Sequence, residues 1–167
     1  MNKLIGQFLA FSKGIEDEQP AQLDLWELIE AQATDLRRDG VEVRLTGCSS
    51  PCAYFAHPVA LQRLLANLLE NAAHYGGGAP IDVNLNCEER IITIKICDRG
   101  PGIPANQAEA VFRPFHRLEA ARSERTGGSG LGLAIARQLA IKHGWTIELL
   151  PREGGGTVAR VDLPIDS

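Results

Sequence analysis

The chain has 167 residues, 44% apolar and 23% charged, a composition that suits one folded domain with a sizeable core and excludes a disordered polyelectrolyte. Lysine and arginine number 17 against 21 acidic residues, and the resulting net charge of −4 argues against nucleic acid as the main partner. No run approaches the roughly 20 apolar residues of a membrane span, and Met1 to Phe11 has one lysine and no small-residue cleavage site, unlike a secretory signal.

Met1 to Lys13 reads as a short amphipathic helix with Leu4, Ile5, Phe8, Leu9 and Phe11 apolar. It is too short to stand alone and resembles the tail of something longer. Gly14 to Pro20 is polar, ends in proline and reads as a linker, which leaves residues 21–167 as the domain. Asp24 is placed to cap a helix running to Arg38, where Leu25, Leu28, Ile29 and Leu36 recur at helical spacing before Gly40 stops it. Val41, Val43 and Leu45 alternate as in a strand, and Ser49 to Pro51 breaks that run. Pro58 to Tyr75 is the clearest helix. Leu61, Leu65, Leu68 and Ala72 share one face, while Asn67, Asn71 and His74 share another at i, i+4 and i+7.

Ile81, Val83 and Leu85 alternate, Ile91 to Cys97 forms a second strand, and Asn86 to Arg90 joins them as a hairpin. Asp98 to Gly102 follows as a glycine-rich turn. Pro104 to Gly128 has weak periodicity and reads as a long mobile loop with short helical pieces. Gly130 to His143 is a helix. Trp145 to Leu149 and Thr157 to Leu163 are strands joined by a turn at Glu153 to Gly156. This order predicts an α/β two-layer sandwich, a mixed and mostly antiparallel sheet covered on one face by helices. Of the four cysteines, Cys48 and Cys52 stand at a C-x3-C spacing with no second pair to complete a zinc site. Cys87 and Cys97 complete the set, Cys97 reads as a small strand hydrophobe, and the simplest setting is a reducing one.

Neither the P-loop signature nor a G-x-G-x-x-G turn after a strand is present. Four other motifs occur in order: Asn67-Leu-Leu-Glu-Asn-Ala-Ala-His-Tyr75, Asp98-Arg-Gly-Pro-Gly102, Phe112-Arg-Pro-Phe115 and Gly128-Ser-Gly-Leu-Gly-Leu133. With them the sequence resembles the catalytic ATP-binding domains of two-component sensor histidine kinases. Those domains share the Bergerat ATP-binding fold with the gyrase, Hsp90 and MutL ATPases of the GHKL superfamily, and the motifs match the family's N, G1, F and G2 boxes. Glu153 to Thr157, followed by Leu163-Pro164, resembles its closing segment, so the likeness spans nearly the whole chain.

The chemistry of the residues is consistent with this. Gly128, Gly130 and Gly132 precede and open a helix, where free backbone amides and the helix dipole suit a phosphate. Asp98, just past a buried strand and before Gly100 and Gly102, can accept from an adenine amino group, and the glycines let backbone approach the base. The resemblance makes Asn71 the Mg2+ ligand, with Asn67 supporting the phosphates. It also implies nucleotide contacts from Ile103, Phe115, Ser129, Leu131, Leu133 and Thr157. Arg117 and Arg122 lie on the expected nucleotide lid, where the resemblance places arginines near the terminal phosphate, the other reading of both being plain solvated charges. Tyr75 either stacks on the base or closes the helix end against the core. His74 stands where many relatives carry lysine or arginine, so its phosphate role is open.

The family's nucleophile is a histidine followed by an acidic residue in a helical dimerisation domain. His57, His74, His116 and His143 all lack that acidic neighbour, so the acceptor is expected on another segment, with Met1 to Lys13 as the end of its second helix. The resemblance therefore implies a monomeric, cytoplasmic catalytic domain of an inner-membrane sensor. It would use ATP and Mg2+, and a response regulator receiver domain would lie downstream. Rival readings are an ATPase of the gyrase or MutL kind, an anti-sigma-factor serine kinase and a non-catalytic nucleotide sensor. Hydrolysing relatives carry a glutamate four residues before the metal asparagine, a position filled here by Asn67. Glu70, at i−1, points about 100° away around the helix.

Overall fold

Asp24 starts the first helix by accepting the Trp26 backbone N–H at 3.0 Å, as its sequence position predicts. That helix, α1 (Leu25–Arg38), buries Leu25, Ile29 and Ala33 at four-residue spacing. The structure, a computed structural model, describes residues 19–48, 51–114 and 131–165. The expected helix at Met1 to Lys13 and residues 14–18 of the linker lie outside these.

Two short strands were not anticipated. β1 (Ala21–Asp24) pairs antiparallel with β3 (Ala53–Ala56), from Ala21 opposite Ala56 to Asp24 opposite Ala53. β2 (Val43–Gly47) begins two residues later than the expected strand, because its pairing with the next strand runs from Val43–Ile81 to Gly47–Leu85. α2 (Pro58–Tyr75) has the bounds read from the sequence, with proline in its first turn, where a missing N–H costs nothing. It buries Leu61, Leu64, Leu65, Leu68, Leu69 and Ala72.

β4 (Ile81–Cys87) and β5 (Ile91–Cys97) form the expected hairpin, with β4 two residues longer than expected. After the loop come α3 (Gly132–His143), β6 (Thr146–Pro151) and β7 (Thr157–Pro164). The five-stranded sheet has the order β2-β4-β5-β7-β6, with β2 parallel to β4 and every other pairing antiparallel. The predicted mixed, mostly antiparallel α/β sandwich is therefore the observed one. Its core includes Val83, Leu85, Ile94, Ile96, Val161 and Leu163 from the sheet, facing Leu61, Leu65 and Leu68 of α2 and Ala136 and Leu139 of α3.

Polar and covalent ties secure the small sheet. Trp145 Nε1 donates to the Tyr54 hydroxyl at 3.0 Å, and that hydroxyl donates to the Pro164 carbonyl at 3.1 Å. Cys52 is disulfide-bonded to Cys87, 35 residues away, with Cα atoms 6.5 Å apart. The C-x3-C spacing does not suggest this pairing, which depends on β4 ending beside the start of β3. Cys48 keeps its thiol, and its Sγ accepts the Cys87 N–H at 3.4 Å.

Sheet register also locates the candidate site. Cys97 of β5 is opposite Val158 of β7, so Asp98 and Thr157, one residue beyond each, meet at the same edge of the sheet.

Candidate functional site

α2 supplies one wall. Asn67, Asn71, His74 and Tyr75 are half-buried, while Glu70 is exposed on a different side of the helix. A Cβ added to Gly132 would lie 3.8 Å from Asn67 Oδ1, so the first turn of α3 sits directly against Asn67. The N-box asparagine and the G2-box helix start, 65 residues apart, are thus brought together. Leu131 is buried and Leu133 packs against the core. Their side chains anchor α3, and what this stretch offers an anion is backbone N–H and the helix dipole. The His74 Nε2 atom is buried with no hydrogen-bond partner among the described residues, and its ring stands edge-on to Tyr75 with centroids 4.8 Å apart.

The turn after β5 supplies the floor. Asp98 is only 6% exposed. Its Oδ1 accepts the Gly100 N–H at 2.9 Å and the Thr157 N–H at 3.2 Å, and its own N–H donates to the Thr157 carbonyl at 2.9 Å. Among the described residues both side-chain bonds fall on Oδ1, leaving Oδ2 as an acceptor for an incoming donor. Burial pushes the Asp98 carboxyl above its ordinary range, against the opposing pull of the two backbone N–H bonds and the Arg152 charge. Burial also raises the neighbouring Cys97 thiol, assisted by the Asp82 charge, so Cys97 is a neutral hydrophobe as its strand position predicted.

Close backbone packing explains two of the glycines. A Cβ at Gly100 would fall 2.1 Å from the Tyr75 carbonyl oxygen, so the turn can press on the end of α2 only with glycine there. A Cβ at Gly156 would fall 2.0 Å from the Asp98 carbonyl oxygen, and its φ of 108° also favours glycine. Gly102 and Ile103 follow on the same turn, both half-buried.

Arg99, which the sequence reading passed over, points away from this floor. It donates to Asp82 Oδ2 at 2.6 Å and to the Pro80 carbonyl, fastening the turn to the start of β4. Beyond Pro104 the expected helical pieces are two single 3-10 turns, Ala105–Gln107 and Ala110–Phe112. Val111 and Phe112 are buried, so Phe112 anchors this stretch, and Arg113 is exposed. Phe115, Arg117, Arg122, Gly128, Ser129 and Gly130 lie outside the described residues. Arg137 of α3, also missed, covers the Phe112 ring at 4.6 Å and pairs with Glu109 at 3.0 Å.

The described residues thus combine a buried carboxylate with a free oxygen, a half-buried pair of amides and a helix N-terminus around one edge of the sheet. Such a set can read an amino group at one end and hold an anion at the other.

Comparison with known proteins agrees. Residues 56–167 match the family of histidine kinase-, DNA gyrase B- and HSP90-like ATPases. The sensor protein CutS of Streptomyces coelicolor is 41% identical over 131 residues, covering 75% of this chain and 30% of CutS. The sensor histidine kinase WalK of Bacillus subtilis is 38% identical over 107 residues, covering 62% of this chain and 18% of WalK. This chain therefore spans less than a third of either protein. Among solved structures, the mycobacterial sensor histidine kinase MprB is similar with a TM-score of 0.72 at 29% identity, covering 88% of this chain and 97% of that one. The ATP-binding domain of PrrB from Mycobacterium tuberculosis gives 0.72 at 27% identity, covering 89% and 98%. With its motif order, sheet and relatives in agreement, the chain belongs to the histidine kinase-, DNA gyrase B- and HSP90-like ATPase family, among the ATP-binding domains of sensor histidine kinases.

Proposed function

We propose that this chain binds ATP with Mg2+ and delivers the γ-phosphoryl group to a histidine on a separate helical dimerisation domain, a response regulator receiver domain being the next acceptor. The observation that carries the nucleotide end of this reading is Asp98: a buried carboxylate with one oxygen held by two backbone N–H groups and the other available to an adenine amino group. Tyr75 flanks the base. Thr157 holds Asp98 in place through its backbone. Asn67 and the N-terminal turn of α3 take the phosphates.

Among the described residues no cluster of three or more His, Cys, Asp or Glu side chains could hold a metal. A single amide oxygen suits Mg2+, which keeps several waters and takes few protein oxygens beside those of phosphates. Asn71 would hold it through its amide oxygen, and the bound ion would supply charge neutralisation on the phosphates. The protein's remaining task is positioning, because phosphoryl transfer needs alignment and charge stabilisation more than covalent help. The segment carrying Arg117 and Arg122 would serve as a lid over the terminal phosphate. Exposure of Glu70 and the amide at position 67 leave no carboxylate base for water beside Asn71 on this face of α2, which favours transfer over hydrolysis. Among the described residues no helix is long and apolar enough to cross a membrane, in keeping with a catalytic domain beside the bilayer of its parent sensor.

Asn71→Ala tests the reading. Calorimetric titration with ATP should show binding to the wild type strengthened by magnesium. The variant, folded by circular dichroism, should lose that strengthening. An unchanged magnesium effect would remove Asn71 from the metal site.

A further inference from the structure

Arg99 stands between Asp98 and Gly100, and the chemistry proposed above gives it no task. Its side chain folds back over the end of the β4–β5 pairing, where Asp82 is opposite Cys97. Nη2 donates to Asp82 Oδ2 at 2.6 Å, and Nη1 donates to the Pro80 carbonyl. The Arg99 and Asp82 side chains are 28% and 34% exposed, so water weakens this pair less than one standing free on the surface. The planar guanidinium serves both acceptors at once.

Two features of the backbone give this grip consequence. The peptide joining Arg99 to Gly100 supplies the N–H that Asp98 Oδ1 accepts at 2.9 Å. Arg99 thus pins the peptide that decides which carboxylate oxygen is engaged. The connection from α2 to β4, Gly76 to Pro80, also runs beside this turn. A Cβ at Gly76 would lie 3.8 Å from Asp98 Cβ, and the Ala79 N–H donates to the Gly76 carbonyl at 3.2 Å. Pro80, at the far end of the connection, is the residue Arg99 holds. Between them, Gly77 and Gly78 have φ of 64° and 87°, and a Cβ on either would meet nothing within 4 Å among the described residues. Thr157 ties the Asp98 turn to β7, and Arg99 ties it to β4.

We propose that Arg99 is a positioning residue for base recognition: by holding Asp82 and the Pro80 carbonyl it fixes the Asp98–Gly100 turn on its β4 side, and so sharpens the preference for a 6-amino over a 6-oxo purine nucleotide. This rests on the reading of Asp98 as the adenine acceptor. Arg99 itself touches no nucleotide in this account, because its side chain is turned to β4. A loosened turn lets the carboxylate rotate, which takes the acceptor from a 6-amino group and relieves the repulsion met by a 6-oxo group.

The test uses this chain as wild type, Arg99→Met, Arg99→Lys and Asp82→Asn, each checked for folding by circular dichroism. Affinities for ATP and inosine triphosphate are read with magnesium, and amide exchange is read without nucleotide. Arg99→Met should speed exchange at Gly100 and at residues 76–79 while leaving the β7 amides unchanged, which separates a loosened turn from general destabilisation. ATP should weaken about three- to tenfold and inosine triphosphate should hold, so the preference falls by the same factor. Arg99→Lys returns a charged donor and should recover part of that preference. Asp82→Asn weakens the same grip without altering the turn, and should move both readouts the same way by less. Unchanged Gly100 exchange in Arg99→Met would overturn the proposal, as would an equal loss for both nucleotides. A lysine no better than methionine would also overturn it, because the bonds to Asp82 and Pro80 would then not carry the effect. A wild type with no preference for ATP would instead remove Asp98 as the reader, and exchange at Gly100 would still decide whether Arg99 holds the turn.

Discussion

Asp98 and Thr157 grip each other in both directions: the Asp98 N–H donates to the Thr157 carbonyl at 2.9 Å, and the Thr157 N–H donates to Asp98 Oδ1 at 3.2 Å. Fifty-nine residues separate them, and the register of β5 with β7 brings them together. The closing segment of the chain thus fixes which carboxylate oxygen is spent on the backbone and which is free.

Base selectivity follows from that division. In Asp98→Asn the side-chain oxygen is expected to stay with the Gly100 and Thr157 N–H groups, which turns the NH2 towards the base. Two donors then face each other, and ATP affinity should fall roughly ten- to a hundredfold. A nucleotide with a 6-oxo purine should lose less or even gain, since its oxygen accepts from that NH2. Competitive titration with ATP and inosine triphosphate checks this, and an unchanged preference for ATP would remove Asp98 as the reader.

Ionisation of Asp98 gives a pH signature. Its folded pKa is raised above the ordinary 3.8 by burial. Adenine affinity, which uses the ionised acceptor, should fall as pH drops through the raised value. The stability of the empty domain carries the opposite sign. A carboxyl that holds its proton more tightly when folded makes the domain lose stability as pH rises from 3.8 through the folded value. Chemical denaturation at several pH values should show that slope in the wild type and its loss in Asp98→Asn.

Gly156 and Gly155 separate close approach from backbone strain. Both have a φ of 108°, but a Cβ at Gly155 meets nothing within 4 Å, whereas at Gly156 it meets the Asp98 carbonyl oxygen at 2.0 Å. Gly155→Ala should cost about 1 kcal/mol of stability, the strain alone. Gly156→Ala should cost at least about 2 kcal/mol more, and weaken ATP binding as Thr157 is pushed from Asp98. Equal costs in denaturant unfolding would mean that the Asp98–Thr157 contact yields readily.

The parts of the molecule legible in the sequence are those whose signal is local. α2 announces itself over 18 residues, because apolar and amide faces each repeat at helical spacing. Asp98 is visible because a carboxylate, two glycines and a strand end fall within five residues. Four-residue strands such as β1 and β3 are too short for alternation to register. The Cys52–Cys87 disulfide and the Arg137 contact join residues 35 and 28 positions apart, so no local pattern reveals either. Thr157 could be named from the closing segment, but not that its backbone, rather than its hydroxyl, addresses Asp98.

Phosphotransfer itself is tested most directly by incubating this chain with γ-labelled ATP and magnesium, with and without a separately produced helical dimerisation domain from the parent kinase. His57, His74, His116 and His143 all lack a following acidic residue, and position 67 offers no base for water. The account predicts little label on this chain alone and slow release of phosphate. With the helical domain present, label should appear on that domain in a form lost in acid and kept in alkali, as phosphohistidine is. Strong label on this chain by itself, or rapid hydrolysis with no partner present, would contradict it.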